Sequence, residues 1–168
     1  MAQDIKKIIA QEYLKCAKDP AYFMRKYCFI QHPTRGRILF NLYPFQEKAL
    51  HLFRDNQYII TLKSRQLGIS TLASAYSLWL MIFHKDKNVL ALATTQATAR
   101  NLVTKTMFMY DQLPKWIKLP ALEKNKLSLR LKNGSKITAK SSNADAARSE
   151  AVSLLLIDEA AFIDNIDE

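Results

Sequence analysis

The stretch KSRQLGIST, which begins at Lys63, combines cations, a glycine and hydroxyls in an order suited to binding phosphate. Lys63 and Arg65 come first, Gly68 follows, and Ser70 and Thr71 stand where the apolar spacing of the next residues indicates that a helix begins. Unpaired N–H groups at a helix N-terminus attract anions, a glycine permits a tight turn, and a hydroxyl can ligate Mg²⁺. The sequence therefore predicts a phosphate-binding loop.

This order departs at two places from the common phosphate-loop pattern G-x-x-x-x-G-K-[ST]. Gly68 fits the second glycine and Ser70 fits the metal-binding hydroxyl, but Lys63 stands at the first glycine and Ile69 at the lysine. Because Lys63 and Arg65 still flank the loop with positive charge, the physical requirements for binding phosphate are met. A surface loop with incidental charges is the alternative that this stretch alone leaves open.

A second stretch supplies carboxylates at the end of an apolar run. The four aliphatic residues 154–157 predict a buried strand that stops at Asp158 and Glu159. In enzymes that hydrolyse nucleotides, one acid at such a strand end holds Mg²⁺ opposite the loop hydroxyl, and a neighbouring carboxylate orients or deprotonates the attacking water. Two acids after aliphatic residues are also common at ordinary strand ends, but the pairing with the loop favours nucleotide binding.

Strands that alternate with helices must position these side chains. Residues 58–62 are β-branched, aromatic or aliphatic, so we expect a buried strand that leads directly into the loop. Apolar residues at three- and four-residue spacing predict a helix from the loop to Phe83. Residues 88–93 predict another buried strand, followed by a helix that ends near Leu113. This alternation indicates a parallel α/β sheet.

Local patterns predict smaller elements elsewhere in the chain. They are an amphipathic helix over residues 4–16, a helix that starts at Asp19 and Pro20, a short strand over 37–42, a helix after Gln46, and a hairpin over 126–140 that turns at Asn133 and Gly134. Thr94 and Gln96 follow a predicted strand, so we expect them at the carboxyl edge of the sheet, either as a helix cap or in contact with a ligand.

Composition places the chain among globular proteins. It has 168 residues, of which 49% are hydrophobic and 24% are charged, enough for one domain with a sizeable core. No apolar run approaches the roughly 20 residues of a membrane span, and the N-terminus lacks the apolar core of a signal peptide, so we expect an intracellular protein. Cys16 and Cys28 lack C-x-x-C spacing and predict free thiols.

The net charge of +10 is unevenly distributed. Residues 61–140 contain fourteen Lys or Arg against three acids, whereas residues 141–168 contain one basic residue against seven acids. A basic middle suits the phosphate backbone of DNA, with phosphate contacts and without reading of bases. A solvated charged face is the alternative.

Together these stretches resemble the large terminase subunits of tailed bacteriophages, the ATP-driven motors that package DNA into capsids. The resemblance lies in SRQLGIST at residues 64–71, LLLIDEAAFID at 154–164 and DPAYFMRKYCFIQHPTRGRILFNLYPFQ at 19–46. Many terminases carry a lysine where Ile69 stands, and others carry it at the start of the loop, where Lys63 stands. The resemblance implies an α/β P-loop NTPase of the additional-strand type, with a mostly parallel sheet flanked by helices and truncated after the Walker B strand.

The resemblance also implies how the chain is divided. Residues 1–56 would hold the N-terminal helices and the adenine-motif region, and residues 57–168 the P-loop core through the Walker B strand. We expect the chain to be the N-terminal part of a terminase ATPase domain, with the nuclease domain absent.

The resemblance implies roles for individual residues in hydrolysis of ATP with Mg²⁺. Phosphate would be bound by Lys63, Ser64, Gln66, Leu67, Gly68, Ile69, Ser70 and Thr71, and adenine by Gln46 and Tyr43. Mg²⁺ would be held by Ser70 and Asp158, while Glu159, Arg65 and Arg148 would be catalytic, Arg65 facing the γ-phosphate and Arg148 reaching the site of a neighbouring subunit. Helix packing is the alternative for Gln46, and an ordinary surface arginine is the alternative for Arg148.

The implied partners are double-stranded DNA, the portal, the small terminase subunit and further copies of the chain in a homo-oligomeric ring, without a membrane. The implied place is the host cell cytoplasm and, transiently, the procapsid. Two other functions stay open: a helicase-like DNA-dependent ATPase, and a non-enzymatic module that binds DNA or a portal-like partner.

Overall fold

The computed structural model describes residues 2–141 and 151–163. Along these residues the chain forms α1 (Ala2–Lys18), α2 (Pro20–Tyr27), β1 (Phe29–His32), β2 (Gly36–Leu39), α3 (Pro44–Asp55), α4 (Ile69–Phe83), β3 (Asn88–Ala93), α5 (Gln96–Asp111), β4 (Ala121–Lys124), β5 (Ser128–Leu131), β6 (Lys136–Ser141) and β7 (Leu154–Ile157). A one-turn 3₁₀ helix, Ala160–Phe162, follows β7. The expected alternation of strands and helices is therefore confirmed for α4, β3 and α5, whereas four strands follow α5.

The main sheet of the described residues has the strand order β4-β5-β6-β3-β7. β3 lies in parallel between β6 and β7, with Leu90 opposite Thr138 on one side and Leu155 on the other. β5 runs antiparallel to both β4 and β6, so four of the five strands point the same way. The last five residues of β3 are all buried, as expected for a strand covered on both faces.

Helices α4 and α5 pack against each other, and α5 also lies on β3 and β6. Of the predicted apolar stripe of α4, Leu72, Ala75, Tyr76 and Trp79 are buried, and Leu80 and Phe83 are partly buried. Trp79 Nε1 donates a hydrogen bond of 2.9 Å to the Cys16 carbonyl of α1. The N-terminal helices therefore brace the helix that follows the predicted phosphate loop.

The start of α2 and the two cysteines agree with the sequence. Asp19 Oδ1 accepts a hydrogen bond of 2.8 Å from the Ala21 N–H, and Pro20 occupies the first turn. Cys16 and Cys28 are free and fully buried. Burial raises the pKa of the Cys16 thiol to about 12 and raises that of Cys28 as well, so both thiols stay protonated and unreactive.

The predicted hairpin turn at Asn133 and Gly134 is confirmed, and it closes the end of α4. Gly134 has a φ of +84°, and a Cβ at this position would overlap the Asp86 carboxylate. Asn133 Nδ2 donates to the Met81 carbonyl at 2.8 Å and to the His84 carbonyl at 3.0 Å. The turn therefore caps the C-terminal end of α4.

The predicted buried strand over residues 58–62 is wrong. The segment forms no strand, and Ile60 and Leu62 are 101% and 102% exposed. Among the described residues no strand lies beside it, because β7 pairs only with β3. A β-strand needs a neighbouring strand for its backbone hydrogen bonds, and apolar composition alone does not supply one.

Smaller differences concern short elements. The strand expected over residues 37–42 is β2 (Gly36–Leu39), and it pairs with β1, which the sequence did not indicate. The strand β4 was also not indicated. The helix expected after Gln46 begins at Pro44, so that Gln46 belongs to its first turn. No described helix is both long and apolar enough to span a membrane.

Candidate functional site

The predicted phosphate loop, residues 63–71, makes a tight turn and continues into the first residues of α4. Gln66 and Gly68 have φ angles of +64° and +71°, in the left-handed region that non-glycine residues rarely adopt. Gly68 precedes the first residue of α4, and its carbonyl accepts the Leu72 N–H at 2.9 Å. No side chain of the described residues caps this helix start. The N–H groups of the first turn therefore remain available to an anion.

Gln46 holds the phosphate loop from α3. The side chain is 2% exposed, its Nε2 donates to the Leu67 carbonyl at 2.9 Å, and its Oε1 accepts the Tyr43 N–H at 3.1 Å. A Cβ on Gly68 would lie 2.7 Å from Gln46 Nε2. The sequence did not indicate this contact, through which Gln46 packs against the loop. One N–H and one lone pair of its amide are left for another partner.

An aromatic pair lies beside this contact. The rings of Tyr43 and Phe45 stack with centroids 5.8 Å apart and planes 7° apart. Tyr43 is 64% exposed and Phe45 is 43% exposed. An exposed, stacked pair next to the loop offers a flat surface on which a planar base could lie.

Asp158 meets the phosphate loop at the end of β7. The Asp158 N–H donates to the Leu92 carbonyl of β3 at 3.0 Å, which fixes the residue at the carboxyl edge of the sheet. Ser70 Oγ donates to Asp158 Oδ2 at 2.8 Å, and Lys63 Nζ lies 3.8 Å from Asp158 Oδ1. The structure therefore brings together a hydroxyl, a carboxylate and an ammonium group from two distant stretches of sequence.

Glu159 has an unusual backbone conformation. Its φ is +58°, its N–H donates to Asp158 Oδ1 at 3.2 Å, and its carbonyl accepts the Phe162 N–H at 3.0 Å. The residue is exposed, and it starts the one-turn helix after β7. A left-handed non-glycine residue persists only where its surroundings fix it, and such residues cluster at functional sites.

Lys105 is a cation of the site that the sequence did not single out. It lies on α5 and is partly buried, and it makes no hydrogen bond or salt bridge to any described residue. Burial lowers the pKa of Lys105 most, the nearby Asp158 carboxylate raises it, and Lys63 lowers it further. The sequence signal that could have identified Lys105 was its place directly before Thr106, because Thr106 lies on the buried face of α5. A partly desolvated cation near Asp158 adds to the positive potential of the site.

Other predicted site residues lie in varied surroundings. Arg65 is exposed and has no hydrogen bond or ion pair with the described residues. Thr94 directly follows β3, but the cap of α5 is Thr95, whose Oγ1 accepts the Thr98 N–H at 3.1 Å. Arg148 lies outside the described residues. The structure therefore brings no arginine into contact with Asp158 among the residues it describes.

The oxygen atoms at this site suit Mg²⁺. Ser70 and Asp158 offer a hydroxyl and a carboxylate in direct contact, and Mg²⁺ prefers oxygen ligands. In the described part of the chain no three His, Cys, Asp or Glu residues are grouped as a metal site. Mg²⁺ is usually bound by one or two protein carboxylates together with water and phosphate.

Two comparisons with known proteins bear on this arrangement. The family model described as "Terminase large subunit, T4likevirus-type, N-terminal" matches residues 60–168. The match contains the phosphate loop, β7 and both acids. It begins within the exposed segment before the loop and includes most of the chain.

The chain is also similar to a solved structure, the crystal structure of the HK97 bacteriophage large terminase. The TM-score is 0.68 at 17% sequence identity, which is a likeness of fold. The match covers 88% of this chain and 32% of the HK97 chain, so the chain spans about a third of the length of that terminase.

Proposed function

The chain belongs to the large terminase subunit family, in its T4likevirus-type N-terminal form, and we propose from this premise that it is the ATP-binding and ATP-hydrolysing part of a viral DNA-packaging motor. The observation that carries the proposal is the contact of Asp158 with two residues of the loop. Ser70 Oγ lies 2.8 Å and Lys63 Nζ lies 3.8 Å from the Asp158 carboxylate, beside a helix N-terminus that no described side chain caps. In this interpretation residues 63–71 are a Walker A type loop and β7 is a Walker B type strand of a P-loop NTPase.

The proposed reaction is attack of water on the γ-phosphate of ATP, which depends on positioning and charge stabilisation. Lys63 neutralises phosphate charge, and the N–H groups of the first turn of α4 donate hydrogen bonds to phosphate oxygens. Ser70 and Asp158 hold Mg²⁺, which supplies charge neutralisation when bound. Glu159 orients the attacking water, and Arg65 faces the γ-phosphate. The remaining phosphate contacts come from Ser64, Gln66, Leu67, Gly68, Ile69 and Thr71.

For the base, the stacked pair of Tyr43 and Phe45 supports an adenine site at the start of α3. Gln46 can address the base only with the part of its amide that does not bind Tyr43 and Leu67. We assign Tyr43 to stacking and Gln46 to one hydrogen bond with the edge of the base.

The partners proposed for the whole protein are double-stranded DNA, the portal, the small terminase subunit and further copies in a ring on the procapsid, in the host cytoplasm. The basic residues of the middle of the chain would contact DNA phosphates.

Arg148 is proposed to act on the ATP of a neighbouring subunit. Its test is a mixed assembly in which Arg148→Ala subunits are combined with subunits inactivated at Glu159. Absence of any recovered turnover despite co-assembly would contradict that role.

The test of nucleotide binding compares two substitutions in the phosphate loop. Lys63→Ala is expected to weaken binding of a non-hydrolysable ATP analogue with Mg²⁺ about tenfold to a hundredfold, because a charge-assisted bond is lost. Ile69→Ala is the matched control and should change the affinity little, since an aliphatic side chain cannot neutralise phosphate. Titration calorimetry measures both.

Two results would count against the proposal. Equal affinity of the wild type and Lys63→Ala would remove Lys63 from the phosphate site. Absence of any binding by the wild type would favour a module that binds DNA or a portal-like partner without catalysis.

A further inference from the structure

We propose that Ser74 and Thr106, the hydroxyl pair, set the position of Ser70 relative to Asp158. Both hydroxyls lie one helical turn or more away from the phosphate loop, and neither has a place in the proposed chemistry. Their role in positioning rests on the proposed function, because Ser70 is the hydroxyl that would hold Mg²⁺.

Ser74 connects α4 to α5 and to Ser70 at once. Its side chain is fully buried, and Ser74 Oγ lies 2.9 Å from the Ser70 carbonyl and 3.2 Å from the Leu102 carbonyl of α5. A helical serine that bonds only the carbonyl four residues earlier is common. The second acceptor, on another helix, makes the Ser74 hydroxyl a link between the two helices.

Thr106 completes the connection from α5. It is also fully buried, and Thr106 Oγ1 lies 3.0 Å from the Leu102 carbonyl and 3.3 Å from the Ser74 carbonyl. Each hydroxyl of the pair therefore reaches the backbone of the opposite helix. Sliding of α4 along α5 would break the contact of each hydroxyl with the carbonyl of the opposite helix, so both groups oppose this movement.

The position of α4 relative to α5 matters because α5 and Asp158 are both attached to β3. Strand β3 leads directly into α5, and it also pairs with β7, where the Leu92 carbonyl accepts the Asp158 N–H. The position of Asp158 is thus fixed to β3 through the sheet. Ser70 is fixed to the same unit through the hydroxyl pair. The contact of 2.8 Å between Ser70 and Asp158 depends on both attachments.

α4 contains a matched control for this proposal. Ser77 is also fully buried, and its Oγ donates only to the Ala73 carbonyl of the same helix at 2.8 Å. Ser74→Ala and Ser77→Ala therefore remove the same atom from the same helix at the same burial. Only Ser74→Ala removes a bond to α5.

The experiment uses the 168-residue chain with the variants Ser74→Ala, Ser77→Ala, Thr106→Val and Thr106→Ser. The first readout is hydrogen exchange of the Leu72 amide, whose N–H donates to the Gly68 carbonyl at the start of α4, and it needs no nucleotide. Ser74→Ala and Thr106→Val should exchange about fivefold faster, the ratio expected for one buried hydrogen bond. Ser77→Ala should leave this turn unchanged, and Thr106→Ser should restore it.

The second readout is the affinity for a fluorescent ATP analogue with and without Mg²⁺. Loss of Ser70 positioning should weaken the affinity with Mg²⁺ about fivefold and leave the affinity without Mg²⁺ nearly unchanged. A loss that is only structural would weaken the affinity with Mg²⁺ and the affinity without Mg²⁺ to the same extent. Thr106→Val keeps the shape of the side chain, so it decides the result even where Ser74→Ala does not fold.

The outcomes separate the two proposals. Faster exchange to the same extent in Ser74→Ala and Ser77→Ala would overturn the role of the hydroxyl pair, whatever the nucleotide does. Absence of nucleotide binding in the wild type would overturn the proposed function of this chain, while the exchange measurement still decides whether the hydroxyl pair positions the first turn.

Discussion

The two ends of α4 are built in opposite ways. At the C-terminal end, carbonyls of Met81 and His84 accept hydrogen bonds from Asn133 Nδ2, and Ser135 Oγ also donates to the His84 carbonyl. At the N-terminal end no side chain in the described part of the chain caps the helix, and a glycine with positive φ leads into it. The ends are about 22 Å apart, at 1.5 Å per residue.

This contrast identifies the N-terminal end of α4 as the end without local stabilisation by the described side chains. Both ends use a glycine with positive φ, Gly68 at the start and Gly134 in the hairpin turn that closes the end. Only at the C-terminal end, the closed end, do nearby side chains donate hydrogen bonds to the last carbonyls of the helix. At the N-terminal end, the open end, no described side chain bonds the N–H groups of the first turn, and Lys63 and Asp158 lie beside them. Substitutions at the two ends should therefore have separable effects.

The largest effect is expected from Glu159→Gln, at the open end. In a full-length protein this substitution should lower kcat by about 10²–10⁴-fold while nucleotide affinity stays near the wild-type value, because glutamine keeps the shape and loses the basic carboxylate. Steady-state ATPase assays and nucleotide titrations measure the two quantities. A kcat near that of the wild type would assign the role to another carboxylate.

A pair of glycine substitutions tests the comparison directly. Gly68→Ala and Gly134→Ala should each lower the free energy of unfolding by about 1–3 kcal/mol, because alanine disfavours positive φ and its Cβ meets a neighbour. Only Gly68→Ala should also weaken nucleotide binding, by about tenfold or more. Denaturant unfolding and calorimetry measure both. Equal loss of affinity in both variants would mean that the ends are not independent.

Gln46 offers a way to sharpen the result at Gly68. The Cβ of Gly68→Ala would approach the Gln46 amide, whose contact with Leu67 holds the loop. In the double variant with Gln46→Ala the steric part of the loss should be relieved, so the two changes should not add. Strict additivity in a double-mutant cycle would contradict the contact.

At the closed end, Asn133→Ala should lower the free energy of unfolding by about 1–2 kcal/mol, since two carbonyls of α4 lose their side-chain donor. Nucleotide affinity should not change. Thermal and denaturant unfolding provide the measurement. A matched variant in the same turn is Lys132→Ala, which changes an exposed residue and should have little effect. A weaker nucleotide affinity in Asn133→Ala would show that the ends communicate through α4.

The smallest effect is expected from Lys105→Met. Because burial lowers the pKa of Lys105 below its usual value of 10.5, its charged form destabilises the folded chain. The substitution should raise the free energy of unfolding by less than about 1 kcal/mol at neutral pH. The gain should fade as pH rises towards 10.5, where the unfolded chain also loses this proton. Lower stability of Lys105→Met at pH 7 would contradict this sign.

The sequence predicted those elements whose cause is local. Strand β3 has the predicted bounds, because a strand covered on both faces must be apolar throughout. The turn at Asn133 and Gly134 was predictable, because positive φ favours glycine at that position. The approach of Ser70 to Asp158 was anticipated from the chemistry of phosphate loops together with the family resemblance.

The sequence failed where the cause lies elsewhere in the molecule. Residues 58–62 have the composition of a buried strand, but no described strand pairs with them. Lys105 and Thr106 gain their surroundings from the face of α5 that meets α4, and this face depends on how the two helices pack. The motif around Gln46 indicated a contact with adenine. Its contact with Leu67 could not be predicted, because it depends on where the loop lies relative to α3.

The contact between Ser70 and Asp158 also has a consequence for the order of folding. Ser74 and Leu102 are 28 residues apart, whereas Ser70 and Asp158 are 88 residues apart, and Asn88 and Ser153 at the start of the β3–β7 pairing are 65 apart. Bringing distant segments together loses more chain entropy and proceeds more slowly. We therefore expect α4 and α5 to associate before β7 docks, so that the acid reaches a preformed loop.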